Sequence, residues 1–435
     1  MIPLIDQHSA LAPGLPGAGL PWLDRLRAAG RDRFAGHGLP TVREEAWKYT
    51  SLRPLEKIAL TAAAGDAPVP AGADAGLGLA SHRLVLVNGR LRLTGPAPTP
   101  LPPGVSLSGL AAELAADPGR IESALGRLRP ADGDPLPALN AAFLSDGVVL
   151  RVAAGVQLET PIELVFAANP GNGTPAWHPR LLVLLEPGSR ATLIEDHRGS
   201  GEAVYLANTV AEISLGAGAG LDHVVVQREA PGAFHLAATT ARLEAGARYQ
   251  SFTLTLGARL ARREVRAELA GAGAECHVSA AYLLEGRQHS DQTTVIAHQQ
   301  PNGTSRQVVK GVIADRARAV FQGRIEVRPG AQKTDGYQLS RALLLSDEAE
   351  IDCKPELEIH ADDVKCSHGA TAGALDDEAM FYLRSRGVPP DQARALLIGA
   401  FVDEAIEEVA AEPVRAALRG LAAGWLQARE ESSHA

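Results

Sequence analysis

Ala245-Gly246-Ala247, followed by Tyr249-Gln250-Ser251-Phe252-Thr253-Leu254, joins a glycine-centred turn to a run of alternating character. Such alternation, at a period of two, marks an extended strand whose two faces meet different surroundings. The phrase recurs in both directions. Ala154-Gly155-Val156, Pro187-Gly188-Ser189 and Ala217-Gly218-Ala219 precede it, and Ala272-Gly273-Ala274, Asn302-Gly303-Thr304 and Pro329-Gly330-Ala331 follow. The spacing is roughly 27 to 33 residues, a period that belongs to repeat architectures. Each turn leads into another short β-rich run, such as Thr192-Leu193-Ile194-Glu195, and almost no helical periodicity interrupts the text from about Asp146 to about Ile359. One turn per repeat with no helix between strands predicts a solenoid, a parallel β-helix or a flattened β-solenoid. The competing architecture, two face-packed antiparallel sheets, seldom keeps so regular a period over so many strands.

The flanks read differently. Near the start, Trp22-Leu23-Asp24-Arg25-Leu26-Arg27-Ala28-Ala29 has helical spacing before Gly30. Ala62 to Leu77 and Gly95 to Gly104 are rich in Ala, Gly and Pro and read as linkers. Between them, Leu84 to Leu93 alternates around Asn88-Gly89, the signal of a hairpin. After Gly373 the period becomes helical. Asp376 to Ser385 forms a first helix, with acidic residues in its first turn and Gly387 as its stop, and Pro389-Pro390-Asp391 opens a second. Ala393, Leu396, Leu397, Ala400, Phe401 and Ile406 are expected to make that helix's apolar face, opposite Asp403, Glu404, Glu407 and Glu408. A third helix runs from about Pro413 to Ala428. The chain is thus expected to be mainly β, with a mixed α+β region over 1–145, a β-solenoid over 146–372 and a helical bundle over 373–435. Since a solenoid end needs a cap, the bundle is expected either to cover the last coil or to serve as a docking surface.

A chain of 435 residues has ample length for two or three domains. Its formal charge of −9 and aromatic content of 4% argue against a nucleic-acid surface of basic patches and stacking rings, and favour a protein partner. Three cysteines, Cys276, Cys353 and Cys366, form no even disulfide framework, as in a protein kept reduced. Met1 to Gly19 has neither a basic start nor a sustained apolar run, so the cytoplasm is the expected compartment. The best apolar runs are short ones such as Leu181 to Leu185, far below a membrane span.

Chemistry concentrates near the C-terminus, in Lys354-Pro355-Glu356-Leu357-Glu358-Ile359 and then Ala361-Asp362-Asp363-Val364-Lys365-Cys366-Ser367-His368-Gly369-Ala370-Thr371. On a strand, Cys366 and His368 face one way and Lys365 and Ser367 the other. A thiol and an imidazole suit a soft metal or a sulfur species. Two ligands are nevertheless too few for a closed zinc or iron-sulfur site, so the rest must come from elsewhere. An imidazole beside a thiol can also act as base and keep it deprotonated. Cys353, His360, Asp352, Asp362 and Asp363 enlarge the local inventory, but the spacing matches no zinc motif, and structural roles are expected for Cys353 and His360. Gly330-Ala331-Gln332-Lys333-Thr334 lacks the second glycine of a phosphate-binding loop. His197, His223, His277, His289 and His298 are expected at surface or turn positions.

The C-terminal words, with Leu375-Asp376-Asp377-Glu378-Ala379-Met380-Phe381-Tyr382-Leu383-Arg384-Ser385-Arg386-Gly387 after them, closely resemble the signature of the SufB/SufD family of iron-sulfur cluster assembly scaffolds, in its SufD form. Gly38-Leu39-Pro40-Thr41, Glu45 and Trp47-Lys48-Tyr49-Thr50 match the family's N-terminal phrase. The resemblance implies a right-handed parallel β-helix and a non-enzymatic subunit that pairs with a SufB-like paralog. It also implies docking of a SufC-like ABC ATPase on the C-terminal helices. It places Cys366 and His368 at the paralog interface, as cluster-assembly residues and metal ligands shared with the partner. No cofactor is then expected to stay bound to the isolated chain, a transient iron-sulfur cluster forming at the interface instead. The resemblance also allows a homodimer of the isolated chain. Where a SufB-like chain carries its sulfur-accepting cysteine, this one has Ser340, which speaks against the alternative of a SufB-like direct acceptor. A further alternative, a β-helix polysaccharide-active enzyme, is disfavoured by the scarcity of aromatic residues.

Overall fold

Backbone hydrogen bonds at the turns explain why the glycine phrase repeats. In a computed structural model, which describes residues 3–92 and 100–433, Gly155, Gly188, Gly218, Gly246 and Gly273 have φ between 63° and 73°. A side chain there would be strained, so glycine is the default. Each amide donates to a carbonyl one coil further on: Gly188 to Ala217 at 2.8 Å, Gly218 to Ala245 at 2.8 Å and Gly246 to Ala272 at 2.9 Å. At the last two phrases the left-handed residues are Asn302 and Lys333, both with φ 62°, rather than Gly303 and Gly330. Asn302 still donates to the carbonyl of Gln332, so the column of turns continues.

The strands between turns alternate between two sheets. One holds β1 (Gly147–Val152), β3 (Arg180–Leu185), β5 (Leu206–Leu215), β7 (Phe234–Leu243), β9 (Leu260–Leu269), β11 (His289–His298), β13 (Arg318–Val327) and β15 (Glu350–Ile359). The other holds β2 (Ile162–Ala167), β4 (Arg190–Arg198), β6 (Gly220–Arg228), β8 (Arg248–Thr255), β10 (Glu275–Leu284), β12 (Thr304–Ile313), β14 (Asp335–Leu344) and β16 (Lys365–Gly373). Consecutive strands within each sheet pair in parallel, so the architecture is the expected β-solenoid. The register stacks like on like: Val152, Leu185, Leu215, Leu243, Leu269, His298, Val327 and Ile359 form one column. All but the last are buried, each leucine contributing about 1.5–3 kcal/mol. Ile359 is 40% exposed, because no coil follows it.

The first coil is covered. His82–Val87 pairs parallel with β2 and turns through Asn88-Gly89 into Arg90–Arg92, the expected hairpin, while Val105–Gly109 pairs antiparallel with β1. The proposed linker at Gly95 to Gly104 falls partly outside the described residues. Helix α1 (Pro21–His37) runs straight through Gly30. A methyl at Gly30 would come within 2.5 Å of the Ala138 carbonyl on the wholly buried helix α2 (Pro135–Ala142), so this glycine marks a helix contact, not a helix end.

The C-terminal bundle does not cap the other end. Its helices are α3 (Asp377–Ser385), α4 (Pro390–Ile406) and α5 (Glu412–Ser433). The Asp376 carboxylate accepts from the amides of Glu378 and Ala379 at 2.8 and 3.1 Å, capping α3. Ile398, Val402, Ala405 and Ile406 of α4 pack on the outer face of the even-numbered sheet, against Phe252, Leu254, Ala281, Leu283 and Val312. The buried stripe therefore differs from the expected one. Leu396 is 52% exposed and Ala400 is exposed, since apolar residues occur on more than one side of α4 and the sheet covers only one.

The solenoid interior holds ionisable groups that sequence placed outside. His197, His223 and His298 are buried, and His277 and His289 are half-buried on strands. His223 Nε2 and His197 Nε2 meet the two oxygens of Glu195 at 2.6 and 2.9 Å, and the other nitrogen of His223 meets Tyr249 Oη at 2.9 Å. His235 faces Glu229 at 2.7 Å. Burial lowers the affinity of His223, His235 and His298 for a proton, outweighing the carboxylate contacts that oppose it where they exist, and holds His298 at about 4. For Glu195 and Glu229 burial acts upward, but the facing imidazoles prevail and keep both carboxyls below their ordinary range. Both shifts have the same consequence. Lowered imidazoles stabilise the fold above about pH 6.5 and lose that contribution as pH falls, and lowered carboxylates lose theirs below about pH 4.5. Urea unfolding should show stability declining from about pH 6.5 and more steeply below about 4.5, with His298→Leu removing of the order of 3 kcal/mol of the pH-dependent part. A flat profile between pH 7 and 4 would contradict these buried neutral imidazoles.

Candidate functional site: the uncovered terminal coil

Among the described residues, strands β15 and β16 are the last in their sheets, each paired on one side only. Every residue of β15 and β16 is part-buried or exposed, whereas the strands two coils back are largely buried. Two open strand edges and an uncovered interior cross-section therefore share this end of the molecule.

The expected pair lies in that cross-section. Cys366 ends the inward column Tyr249, Cys276, Ser305, Gly336, and His368 ends the neighbouring column His223, Ser251, Val278, Gln307, Gln338. Both thus face inward from β16, as the strand spacing requires. Cys366 packs beside Ile325, Leu357 and Val364, and burial pushes its thiol up. His368 is exposed. From the opposite sheet Cys353 faces inward too, its Sγ 3.4 Å from Ser340 Oγ, and burial pushes it up as well. His360 is exposed and meets Glu358 at 3.0 Å, away from the thiols. Among the described residues no three His, Cys, Asp or Glu side chains are arranged to hold a metal ion. The site is half of something. Thiol, imidazole and hydroxyl converge on an open end with too few donors to close a coordination shell.

Comparison with known proteins bears on that end and on the whole chain. Residues 166–401 match the family model described as the SUF system FeS cluster assembly, SufBD core domain, and residues 15–164 match the SufBD protein N-terminal region. The chain belongs to the SufBD family. It is 33% identical to an iron-sulfur cluster assembly SufBD family protein of Synechocystis sp., over 90% of this chain and 89% of that one. It is 32% identical to the iron-sulfur cluster assembly protein SufD of Escherichia coli, over 87% of both chains. It is also 32% identical to the chloroplastic protein ABCI7 of Arabidopsis thaliana, over 79% of this chain and 73% of that one. Among the described residues no helix is long and apolar enough to cross a membrane.

In this SufBD chain the two signature phrases, far apart in sequence, touch. Glu45 pairs with Lys354 on β15, next to Cys353. The Ala46 carbonyl accepts from Arg262 on β9 at 2.9 Å and from Gln322 on β13 at 3.2 Å, and Trp47 lies 4.0 Å from the Arg262 guanidinium. Thr50 bonds to Asp291 and to His289 on β11, the latter at 2.9 Å. Residues 45–50 therefore cross the odd-numbered sheet from β9 to β15 like a strap. Nothing in the spacing of either phrase signalled that contact.

The sequence reading also passed over Gln338. This residue is fully buried one coil below His368, and among the described residues neither its Nε2 nor its Oε1 has a hydrogen-bond partner. Each such orphan costs about 1–3 kcal/mol. Its inward position in β14 was the available signal, an amide on the same alternation as Ser340 and Leu344.

The thiols make a direct check. Cys276 is fully buried and its pKa is pushed up to about 12, so it should resist alkylation until the chain unfolds. Cys353 and Cys366 should both react in the native protein near pH 8, more slowly than a free thiol and faster as pH rises. Peptide mass spectrometry after timed iodoacetamide treatment reads all three; native labelling of Cys276 would show the interior to be open.

Proposed function

We propose that this chain is a SufD-like scaffold subunit, without catalytic activity of its own, which pairs through its terminal coil with a SufB-like paralog. Together with a SufC-like ABC ATPase, the pair assembles iron-sulfur clusters in the cytoplasm. The observation that carries the reading is the uncovered coil, on which Cys366 and His368 face inward at the open end of the solenoid. An unpaired strand edge adds strands readily, and a paralogous solenoid end offers matching ones. Ligands supplied by both subunits would complete a shell that neither completes alone, so a cluster is held transiently at the junction and not by the isolated chain. The same edge would let the isolated chain pair with a second copy. Ser340, a hydroxyl where a SufB-like acceptor thiol is expected, supports the SufD-like role over direct sulfur acceptance. ATPase docking is assigned to the bundle, where Phe381, Tyr382 and Leu396 are 76%, 57% and 52% exposed. Apolar side chains so uncovered suit a partner surface.

His368→Ala should leave melting temperature and pairing with the paralog nearly unchanged, because an exposed side chain leaves no core cavity. Cluster yield in cells should fall on the order of tenfold or more, as when a ligand's environment is lost. Cys366→Ser should do less if the imidazole is the primary ligand. Normal cluster yield with His368→Ala would remove the site from this end of the solenoid. Truncation after Gly373 should abolish ATPase pull-down. Full ATPase binding by a folded truncated chain would move that surface elsewhere.

A further inference from the structure

At the end of the solenoid opposite to Cys366 and His368, the N-terminal segment encloses a cavity. The short helices Pro3–Asp6 and His8–Leu11 are tied down where Gln7 Nε2 donates to the Leu60 carbonyl at 3.4 Å and His8 Nε2 to the Ala142 carbonyl at 3.1 Å. Nearby, Thr61–Ala62 pairs in parallel with Pro175–Trp177, which in turn pairs with β5. The space left among these elements has a volume of about 260 Å³, and its walls are mostly apolar, Leu4, Leu11, Phe143 and Trp177 among them. Protein interiors hold few voids larger than a water molecule. A cavity of about 150 Å³ lined by apolar side chains is already enough to bind benzene.

Two of the lining residues carry N–H groups that have no partner among the described residues. His178 is buried, with the Phe143 ring stacked on it at 5.4 Å. The amide nitrogen of Asn208 donates to the Leu136 carbonyl at 3.0 Å and lies 3.1 Å from His178 Nδ1, so Nδ1 accepts and the neutral ring keeps its proton on Nε2. Burial holds this imidazole's pKa at about 3, and its Nε2–H finds no acceptor. The second residue is Arg90, half-buried, with its guanidinium carbon 3.3 Å from where a methyl on Gly65 would sit. A methyl on the preceding Gly89 would come within 3.2 Å of Trp177 Cβ, so Arg90 and His178 each follow one member of a contacting pair. Among the described residues no carboxylate pairs with Arg90, and no carboxylate or thiol lines the cavity.

We propose that this cavity binds a small amphiphilic monocarboxylate, its apolar body among the leucines and aromatic rings and its carboxylate taken by the N–H groups of Arg90 and His178. Apolar walls with a few convergent polar groups are the usual make-up of a small-molecule site. A guanidinium with no acidic partner supplies the charge that an anion needs, and its fork matches a carboxylate. One such cation balances one negative charge, so a doubly charged phosphate head fits less well. A metal ion finds no ligands here, since the lone pair of His178 is already used by Asn208 and the nearest charge is positive. The site lies outside the terminal coil and does not depend on what that coil assembles.

The test is isothermal titration calorimetry of the full-length chain with octanoate, octanol and octyl phosphate, for the wild type, Arg90→Met and Leu11→Trp. Octanoate should bind the wild type on the order of tenfold more tightly than either octanol or octyl phosphate. Arg90→Met changes a half-buried side chain and should fold normally, yet bring octanoate down to the affinity of octanol. Leu11→Trp fills the cavity from its part-buried wall and should remove binding of both. Location is read separately with octanoate brominated at its far end, because the heavy atom quenches a nearby indole. Trp177 lines the cavity, so Trp177→Phe should lose most of that quenching. Wild-type protein that binds no octanoate would overturn the proposal, as would octanoate affinity unchanged in Arg90→Met or quenching that persists in Trp177→Phe. Tighter binding of octyl phosphate than of octanoate would overturn the assignment to a carboxylate.

Discussion

In a parallel solenoid each coil's backbone is satisfied by the coil before and the coil after it, through ladders such as Gly188 to Ala217 and Gly218 to Ala245 at the turns and strand pairing between them. The arrangement has no internal stopping point. Its two ends are the places where amides and carbonyls lack strand partners, and the molecule treats them differently. The first end is covered by the Asn88-Gly89 hairpin and by Val105–Gly109. At the last, β15 and β16 stay unpaired on one side, and the column of buried aliphatics finishes in a partly exposed Ile359. An edge of that kind is a hazard unless it is matched, and Cys366 and His368 lie on it.

The side-chain columns turn one-dimensional text into a layered interior. Residues separated by one repeat stack directly, so a polar side chain placed inward has as neighbours the residues one coil above and one coil below. Glu195, His197 and His223 satisfy one another in this way deep inside. Gln307 bonds to Thr294 across the interior, and Gln338 finds nothing. An interior that was only a hydrophobic filler would have aliphatic residues at these positions, as it does along the column from Val152 to Leu269.

Much of this was legible in the residues. The glycine phrases gave the period because a left-handed turn must recur once per coil, and the Cys366–His368 spacing gave a shared face because strand alternation has a period of two. The helix stop at Gly387 followed from local chemistry, whereas Asp376, read as the first helical residue, is the cap one position before it. What failed were judgements that depend on the third dimension. The five histidines scattered over the β region were expected at surface or turn positions, yet His223 and His298 occupy inward positions where Glu195 and Ser305 supply partners. One of the two expectations for the bundle was a cap on the last coil, since a solenoid end needs one, yet it packs on the apolar outer face of Phe252, Leu254, Leu283 and Val312. Leu396 was counted as core because it is apolar, although the stripe that the sheet covers runs through Ile398 and Val402.

The strap formed by residues 45–50 ties these points together. A terminal coil with one unpaired side would fray more easily than the interior, and β15 carries Cys353 into the interior and Lys354 out toward the strap. With Glu45 on β15, Ala46 on β9 and β13, and Thr50 on β11, the N-terminal phrase couples the last strand to the well-packed middle of the sheet without occupying its open edge. A cap laid across the end would have given the same order and hidden the site. Bracing the coil from its outer face leaves the edge, the inward thiols and His368 uncovered, so the N-terminal phrase holds, from the outside of the odd-numbered sheet, the same terminal coil whose strand β16 in the facing sheet carries Cys366 and His368.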